Sequence, residues 1–253
     1  ILKSPKVSKI FCAPGNAGID SIVNTVDIKS DNLYALLAFA INEKVDLTIV
    51  GPEQPLAIGI VDLFRKNKLL IFGPNQHSSQ LESSKEFSKI FMKKNSIPTA
   101  NFESFSDFDL AHEHIKKSEY PLVVKADGLA AGKGVRVCYS FEEANEFLIF
   151  IMKDKIFSTS GDRVVIEDFL EGEEASFFVF TDGKSILPLD SSQDHKRLLD
   201  GDLGPNTGGM GAYSPAPIID QETRKNIMLD IVEPVFSAFK RDKIDYTGVL
   251  YIG

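Results

Sequence analysis

The sequence predicts an α/β domain with a parallel, doubly wound sheet, followed by an α+β module built on antiparallel sheets. Three observations carry this expectation. Up to residue 74, short apolar strand-like runs alternate with runs of helical spacing. That βαβαβ rhythm belongs to parallel sheets. The segment "SIPTA", residues 96–100, then reads as a linker, and the pattern changes beyond it. Finally, a Gly/Ala-rich stretch lies between two strand-like runs near residue 130, as a loop between antiparallel strands would.

Each element has a local reason. Residues 7–13 read as a strand ending in the turn "PGNAG". In 31–44, Leu33, Leu36, Leu37, Ala40 and Ile41 recur at helical spacing. "VDLTIV", 45–50, reads as a buried strand running into "GPEQP". Residues 55–67 follow as a helix with Pro55 at its start. "LLIFGP", 69–74, is the next strand. In such sheets ligands bind off the carboxyl ends of strands, where both glycine–proline turns fall. Residues 83–95 form a basic amphipathic helix carrying Lys85, Lys89, Lys93 and Lys94. Two more helices are expected at 106–118 and 140–153. They open with Ser106 and Ser140, each followed three residues later by an acid, Asp109 and Glu143. Strands are expected at 121–126, 134–138 and 163–168.

Composition narrows the function. The 253 residues carry a net charge of −8, which argues against a broad nucleic-acid surface but allows a local cationic pocket. No apolar run approaches the roughly 20 residues that span a bilayer, and no signal peptide is visible. Two cysteines, Cys12 and Cys138, sit in strand-like runs without a CxxC pair. A reducing cytoplasm fits best. His112 and His114 lack metal-site spacing and read as solvent-facing. "ILKSP" and "GVLYIG" suggest that both ends are cut inside folded structure.

"VVKADGLAAGKGV", residues 123–135, raises the question of a phosphate loop. A Walker loop needs GxxxxGK[ST]. Here three residues separate Gly128 from Gly132, and Gly134 follows Lys133 where a hydroxyl would hold Mg²⁺. The next element is a strand, not the helix a Walker loop opens. The stretch fits another device, in which Lys125 ends a strand and a pliable loop lays backbone N–H groups over phosphates. Downstream, "VVIEDFLEGEEASFFVF", 164–180, reads strand, connector, strand. Glu167 ends the first strand, the Asp168–Leu170 backbone offers an edge for adenine, and Glu174 could accept ribose hydroxyls. Taken singly, these stretches also fit a turn, a glycine-rich hairpin or a solvated charge run; together they favour a nucleotide site.

These residues resemble the ATP-grasp superfamily and, within it, the phosphoribosylamine–glycine ligase family. "SSQDHKRLLDGDLGPNTGGMGAYSPAP" (191–217), "PGNAG" (14–18), "VGPEQPL" (50–56), "IFGP" and "LESSKEFSK" (81–89) carry the closer match across the whole chain. The resemblance implies an N-terminal pre-ATP-grasp substrate domain over 1–88 and an ATP-grasp domain over 89–253. Its lid would run over about 98–165 and its central part from about 166. It implies ligation of glycine to 5-phosphoribosylamine in purine synthesis, with ATP cleaved to ADP and phosphate through glycyl phosphate.

By the same resemblance, Lys85 and Lys125 would contact ATP phosphates. Gly128, Gly132, Lys133 and Gly134 would form the lid loop. Glu167, Phe169 and Leu170 would hold adenine, and Glu174 the ribose. Asn16, Gly18, Pro52 and Glu53 would line the phosphoribosylamine crevice. Asp194, His195, Lys196 and Arg197 would sit where phosphate and substrates meet. The turn Asn206, Thr207, Gly208, Gly209, Met210 and Gly211 would offer donors to a carboxylate or acyl phosphate. The family's first glycine-rich turn would precede Ile1. Its Mg²⁺ ligands would lie beyond Gly253, so no metal ligand is assigned. Another ATP-grasp carboxylate ligase of purine synthesis and a non-catalytic nucleotide-binding fragment are the alternatives. Oligomeric state is left open.

Overall fold

In a computed structural model, which describes every residue except 131, 132, 202 and 208, the chain divides into two units, Ile1–His77 and Ser78–Gly253. The division falls ahead of the expected boundary after residue 88. The reason is packing: Phe91 and Leu81 belong to a core with Phe177, Val179 and Phe239 of the second unit.

In the first unit β1 (Phe11–Cys12) pairs in parallel with β2 (Asn24–Thr25). Likewise β3 (Thr48–Ile49) pairs in parallel with β4 (Ile71–Phe72). Helices α1 (Ala17–Asp20), α2 (Leu33–Asn42), α3 (Glu53–Ala57) and α4 (Ile60–Lys66) complete it. Its core gathers Ala40, Ile60, Val61, Phe64 and Ile71. Three expectations change here. The strands are two residues long, and Ile49 is half exposed: a two-stranded sheet covers one face, and Val50 rather than Ile49 packs inward. The helix expected over 55–67 is broken, because Gly59 adopts a left-handed φ of +92°. Pro55 is therefore buried as the third residue of α3 instead of opening a helix.

In the second unit α5 (Gln80–Ser83) ends where Ser84 turns extended and caps α6 (Lys85–Lys94), its Oγ accepting from Phe87 N at 3.1 Å. The helix expected over 83–95 is α6, with the short α5 ahead of it. Four strands follow, β5 (Phe102–Phe105), β6 (Leu122–Ala126), β7 (Val135–Cys138) and β8 (Val164–Asp168), in the order β5-β8-β6-β7, all antiparallel. Helices α7 (Phe108–Lys117) and α8 (Phe141–Met152) bury Ala111, Ile115, Phe147, Leu148 and Ile151 against Leu122, Val124, Val164 and Ile166. Asp107, not Ser106, caps α7 and accepts from Leu110 N at 3.0 Å. Ser140 caps α8 as expected, while Glu143 reaches back to Tyr139 N at 2.8 Å. His112 and His114 are half-buried, against Phe108 and Phe141 and against Phe105 respectively, rather than free in solvent. Cys138 is buried, and Cys12 is half-buried.

Beyond β8, β9 (Phe177–Thr181) pairs antiparallel with β10 (Ile186–Pro188) and with the last strand. Two small hairpin-like ladders intervene: β11 (Gln193–Asp194) with β14 (Ala212–Tyr213), and β12 (Arg197–Leu199) with β13 (Leu203–Asn206). Helix α9 (Gln221–Ile227) runs through a π turn, Met228–Val232, into α10 (Glu233–Asp242). Pro234 lacks the amide that would bond the carbonyl four residues back, which accounts for the widened turn. The last strand, β15 (Gly248–Ile252), lies on β9.

Candidate functional site

Strand alternation decides which side chains meet. Leu122, Val124 and Ala126 of β6, with Val164 and Ile166 of β8, face α7 and α8. Lys125 and Glu167 therefore fall on the opposite face. The register sets Lys125 opposite Val165 and Val123 opposite Glu167, so the two charged residues are diagonal neighbours. Lys125 Nζ pairs with Glu167 Oε1. The other oxygen of Glu167 lies 2.5 Å from Lys89 Nζ of α6, and Glu167 is 7% exposed. Lys89 also donates to Thr99 Oγ1 at 2.7 Å.

The start of α6 is tied to the glycine-rich loop. Asp127 accepts from Ser84 Oγ at 3.2 Å and from Glu86 N at 3.1 Å. Lys85 Nζ donates to Gly128 O at 2.8 Å. Burial draws the Lys85 ammonium below the ordinary lysine range; Asp127 opposes the shift and Lys125 adds to it. Three ammonium groups, Lys85, Lys89 and Lys125, thus gather with three carboxylates, Asp127, Glu167 and Glu82. The cations are held by carboxylates that an incoming anion would have to displace. Gly128 holds φ +98°, and a Cβ there would sit 2.7 Å from Ser160 Oγ. Across the loop Ala126 N donates to Gly134 O at 2.8 Å, and Lys133 N to Ala130 O at 3.0 Å. Gly132 lies outside the described residues.

At the end of β8, Asp168 N donates to Asn101 O at 3.0 Å. That amide is engaged with Asn101, the residue before β5, and Phe169 and Leu170 follow it on the connector. An open cavity of about 730 Å³ lies at this end of the strand, lined by Pro98, Thr99, Asn101, Phe102, Glu167 and Asp168 among others. Glu174, on the connector to β9, pairs with Lys196. Burial acts downward on Lys196, but its hydrogen bond to Glu174, with Asp194 nearby, holds the ammonium above its usual range. The His195 ring lies tilted against Tyr213, centroids 5.5 Å apart; its backbone N donates to Gly211 O at 2.9 Å and its O accepts from Met210 N at 2.7 Å. Thr207 N donates to Lys196 O, and Gly209 N to Thr207 Oγ1 at 3.1 Å. Arg197 donates to Gly204 O at 2.8 Å. The predicted "DHKR" run and the glycine-rich turn thus form one hydrogen-bonded unit; Gly208 and the Asn206 side chain lie outside the described residues.

In the first unit Asn16 caps α1, accepting from Ile19 N at 3.0 Å, and Gly18 lies within that helix. Pro52 and Glu53 open α3. Both turns follow the carboxyl ends of parallel strands. Among the described residues no group of three or more His, Cys, Asp or Glu side chains is placed to hold a metal, and no helix is long and apolar enough to cross a membrane. Sequence reading missed Lys89, Asp127, Asn101 and strand β5. Lys89 had one signal: it stands four residues after Lys85, on the same helical face.

A sheet bearing a half-buried lysine, a helix that sets further lysines beside it, a glycine-rich loop between two of the sheet's strands, and a second antiparallel sheet beyond a short connector define an ATP-grasp domain. Residues 83–253 match the ATP-grasp (A) domain of phosphoribosylglycinamide synthetase, and residues 1–82 match its N domain. The chain belongs to the phosphoribosylglycinamide synthetase family. A phosphoribosylamine–glycine ligase of Ralstonia nicotianae is 49% identical over the whole chain, which spans 60% of that relative's length. The crystal structure of phosphoribosylamine–glycine ligase from Thermotoga maritima is similar at a TM-score of 0.81 and 32% identity, over 97% of this chain and 59% of that one. A biotin carboxylase domain from Hydrogenobacter thermophilus, in complex with MgADP, ADP and bicarbonate, shares the fold at 19% identity. Its TM-score is 0.68, over 90% of this chain and 49% of that one.

Proposed function

We propose that this chain carries the nucleotide-binding and N-terminal parts of an enzyme that joins glycine to 5-phosphoribosylamine. The products are glycinamide ribonucleotide, ADP and phosphate. The observation that carries the reading is the Lys85–Lys89–Lys125 cluster beside the Gly128 loop. It supports a triphosphate landing place, and the family relatives support the choice of acyl acceptor.

A carboxylate is a poor acyl donor. ATP would phosphorylate glycine to glycyl phosphate, and the amine of phosphoribosylamine would then displace phosphate. Lys85 and Lys125 bind the phosphates, and the loop around Gly128, Lys133 and Gly134 covers them with amides. The Phe169–Leu170 backbone reads adenine. Glu174 takes the ribose, exchanging Lys196 for the two hydroxyls. Asp194, His195, Lys196 and Arg197, with the Thr207–Gly211 turn, orient the acyl phosphate. Asn16, Gly18, Pro52 and Glu53 take the sugar phosphate. The chain's role in this scheme is positioning and charge neutralisation. Mg²⁺ ordinarily accompanies ATP; among the described residues no group of three or more His, Cys, Asp or Glu side chains is placed to hold it, and no step runs through it.

The test is ADP release with ATP, glycine and phosphoribosylamine, omitting each in turn. Release only when all three are present is expected. Glycine-independent release points to another carboxylate ligase, and nucleotide binding without turnover to a binding module.

A further inference from the structure

We propose that Lys89 is a positioning residue: it keeps Glu167 neutralised while Lys125 leaves that carboxylate for a phosphate. The inference rests on the nucleotide reading of this site and extends it to a residue outside the phosphate contacts.

Glu167 is buried and carries one ammonium on each oxygen, Lys125 on Oε1 and Lys89 on Oε2. The two lysines are not equivalent. The Lys125 side chain is 24% exposed, whereas that of Lys89 is 11% exposed. Lys89 is further held by Thr99, with the Phe102 ring 5.9 Å from its Nζ, and Phe102 is the β5 residue paired with Glu167. Lys125 can therefore turn outward, while Lys89 is fixed. A phosphate that recruits Lys125 strips one counter-charge from a buried carboxylate. With no second partner, that carboxylate would be left uncompensated, which is strongly disfavoured. Lys89 removes this obstacle. Glu167, for its part, competes with phosphate for Lys125 and moderates affinity.

The experiment is calorimetric titration with ATP and with inorganic tripolyphosphate, on the unaltered chain and on K89M, K89R, E167Q and K89M/E167Q. K89M is expected to weaken both ligands by at least about tenfold, and K89R to stay within about threefold of the unaltered chain. E167Q frees Lys125 and tightens tripolyphosphate binding. In K89M/E167Q there is no charge to abandon, so affinity returns to within about threefold of E167Q. A merely structural lysine would lower thermal stability without this coupling to residue 167. Unchanged affinity in K89M, or a double variant as weak as K89M, overturns the inference alone. Should K89M fail to fold, a tenfold gap between E167Q and K89M/E167Q overturns it. Failure of the unaltered chain to bind either ligand overturns the nucleotide reading as well.

Discussion

Lys125 meets solvent only in part and is held by a carboxylate that has another partner. Removing it should spare the fold and harm binding. For Lys125→Ala we expect a roughly 10- to 100-fold loss of ATP affinity, the worth of about 1.5–3 kcal/mol for a hydrogen bond to a charged group. Far-UV circular dichroism should be unchanged, and equal affinity in a titration would remove Lys125 from the phosphate site. A second residue-scale expectation concerns Cys138. Burial pushes its thiol up to about 11, Arg136 opposing and Glu143 adding to the shift. The unfolded chain ionises near pH 8.5. Above that pH the native state keeps a proton the unfolded state has lost, so the contribution is intact below the unfolded pKa and drains away as pH rises toward about 11. Urea titrations from about pH 7.5 to 10.5 should therefore show a shallower decline for Cys138→Ala.

At the scale of elements, caps and breaks matter most. Asp107 satisfies an amide at the start of α7, while Ser106 is exposed just before it. Asp107→Ala should cost about 1 kcal/mol in urea unfolding, and Ser106→Ala less than about 0.5 kcal/mol. The reverse order would restore the cap to Ser106. The serine–x–x–acid pattern was legible at both helices, but "SFSDFD" offers two oxygens at adjacent positions. Backbone geometry chooses between them: Asp107 is extended and begins the turn. A choice of the same kind hid the break at Gly59, since a glycine within apolar helical spacing signals a weak point without saying whether the chain turns there. Strand β5 is hidden because "FESF" is only four residues long and its adjacent polar residues, Glu103 and Ser104, break the period-two alternation.

On the scale of the whole molecule, the two units differ in how much they bury. The first has two-residue strands and a small core, whereas the second carries a four-stranded sheet between helices and a further aromatic-rich core. In hydrogen exchange followed by mass spectrometry, amides of β6 and β8 should persist longest and those of β1–β4 should exchange first. Equal protection of β3 and β8 would contradict that ranking. The motifs around Lys125, Glu167, Glu174 and 194–211 were all legible in the sequence, because their chemistry depends on residue type and short spacing. Strand alternation alone also puts Lys125 and Glu167 on faces opposite their apolar neighbours. What required the folded chain was partnership. Lys89 looks like one of four surface lysines on its helix until β8 delivers a buried carboxylate to it, and the exposed Glu174 shows no partner until Lys196 arrives from 22 residues away. Local sequence specifies which groups are present and which way each element turns them. Only tertiary packing decides which charges lose water and must therefore find each other.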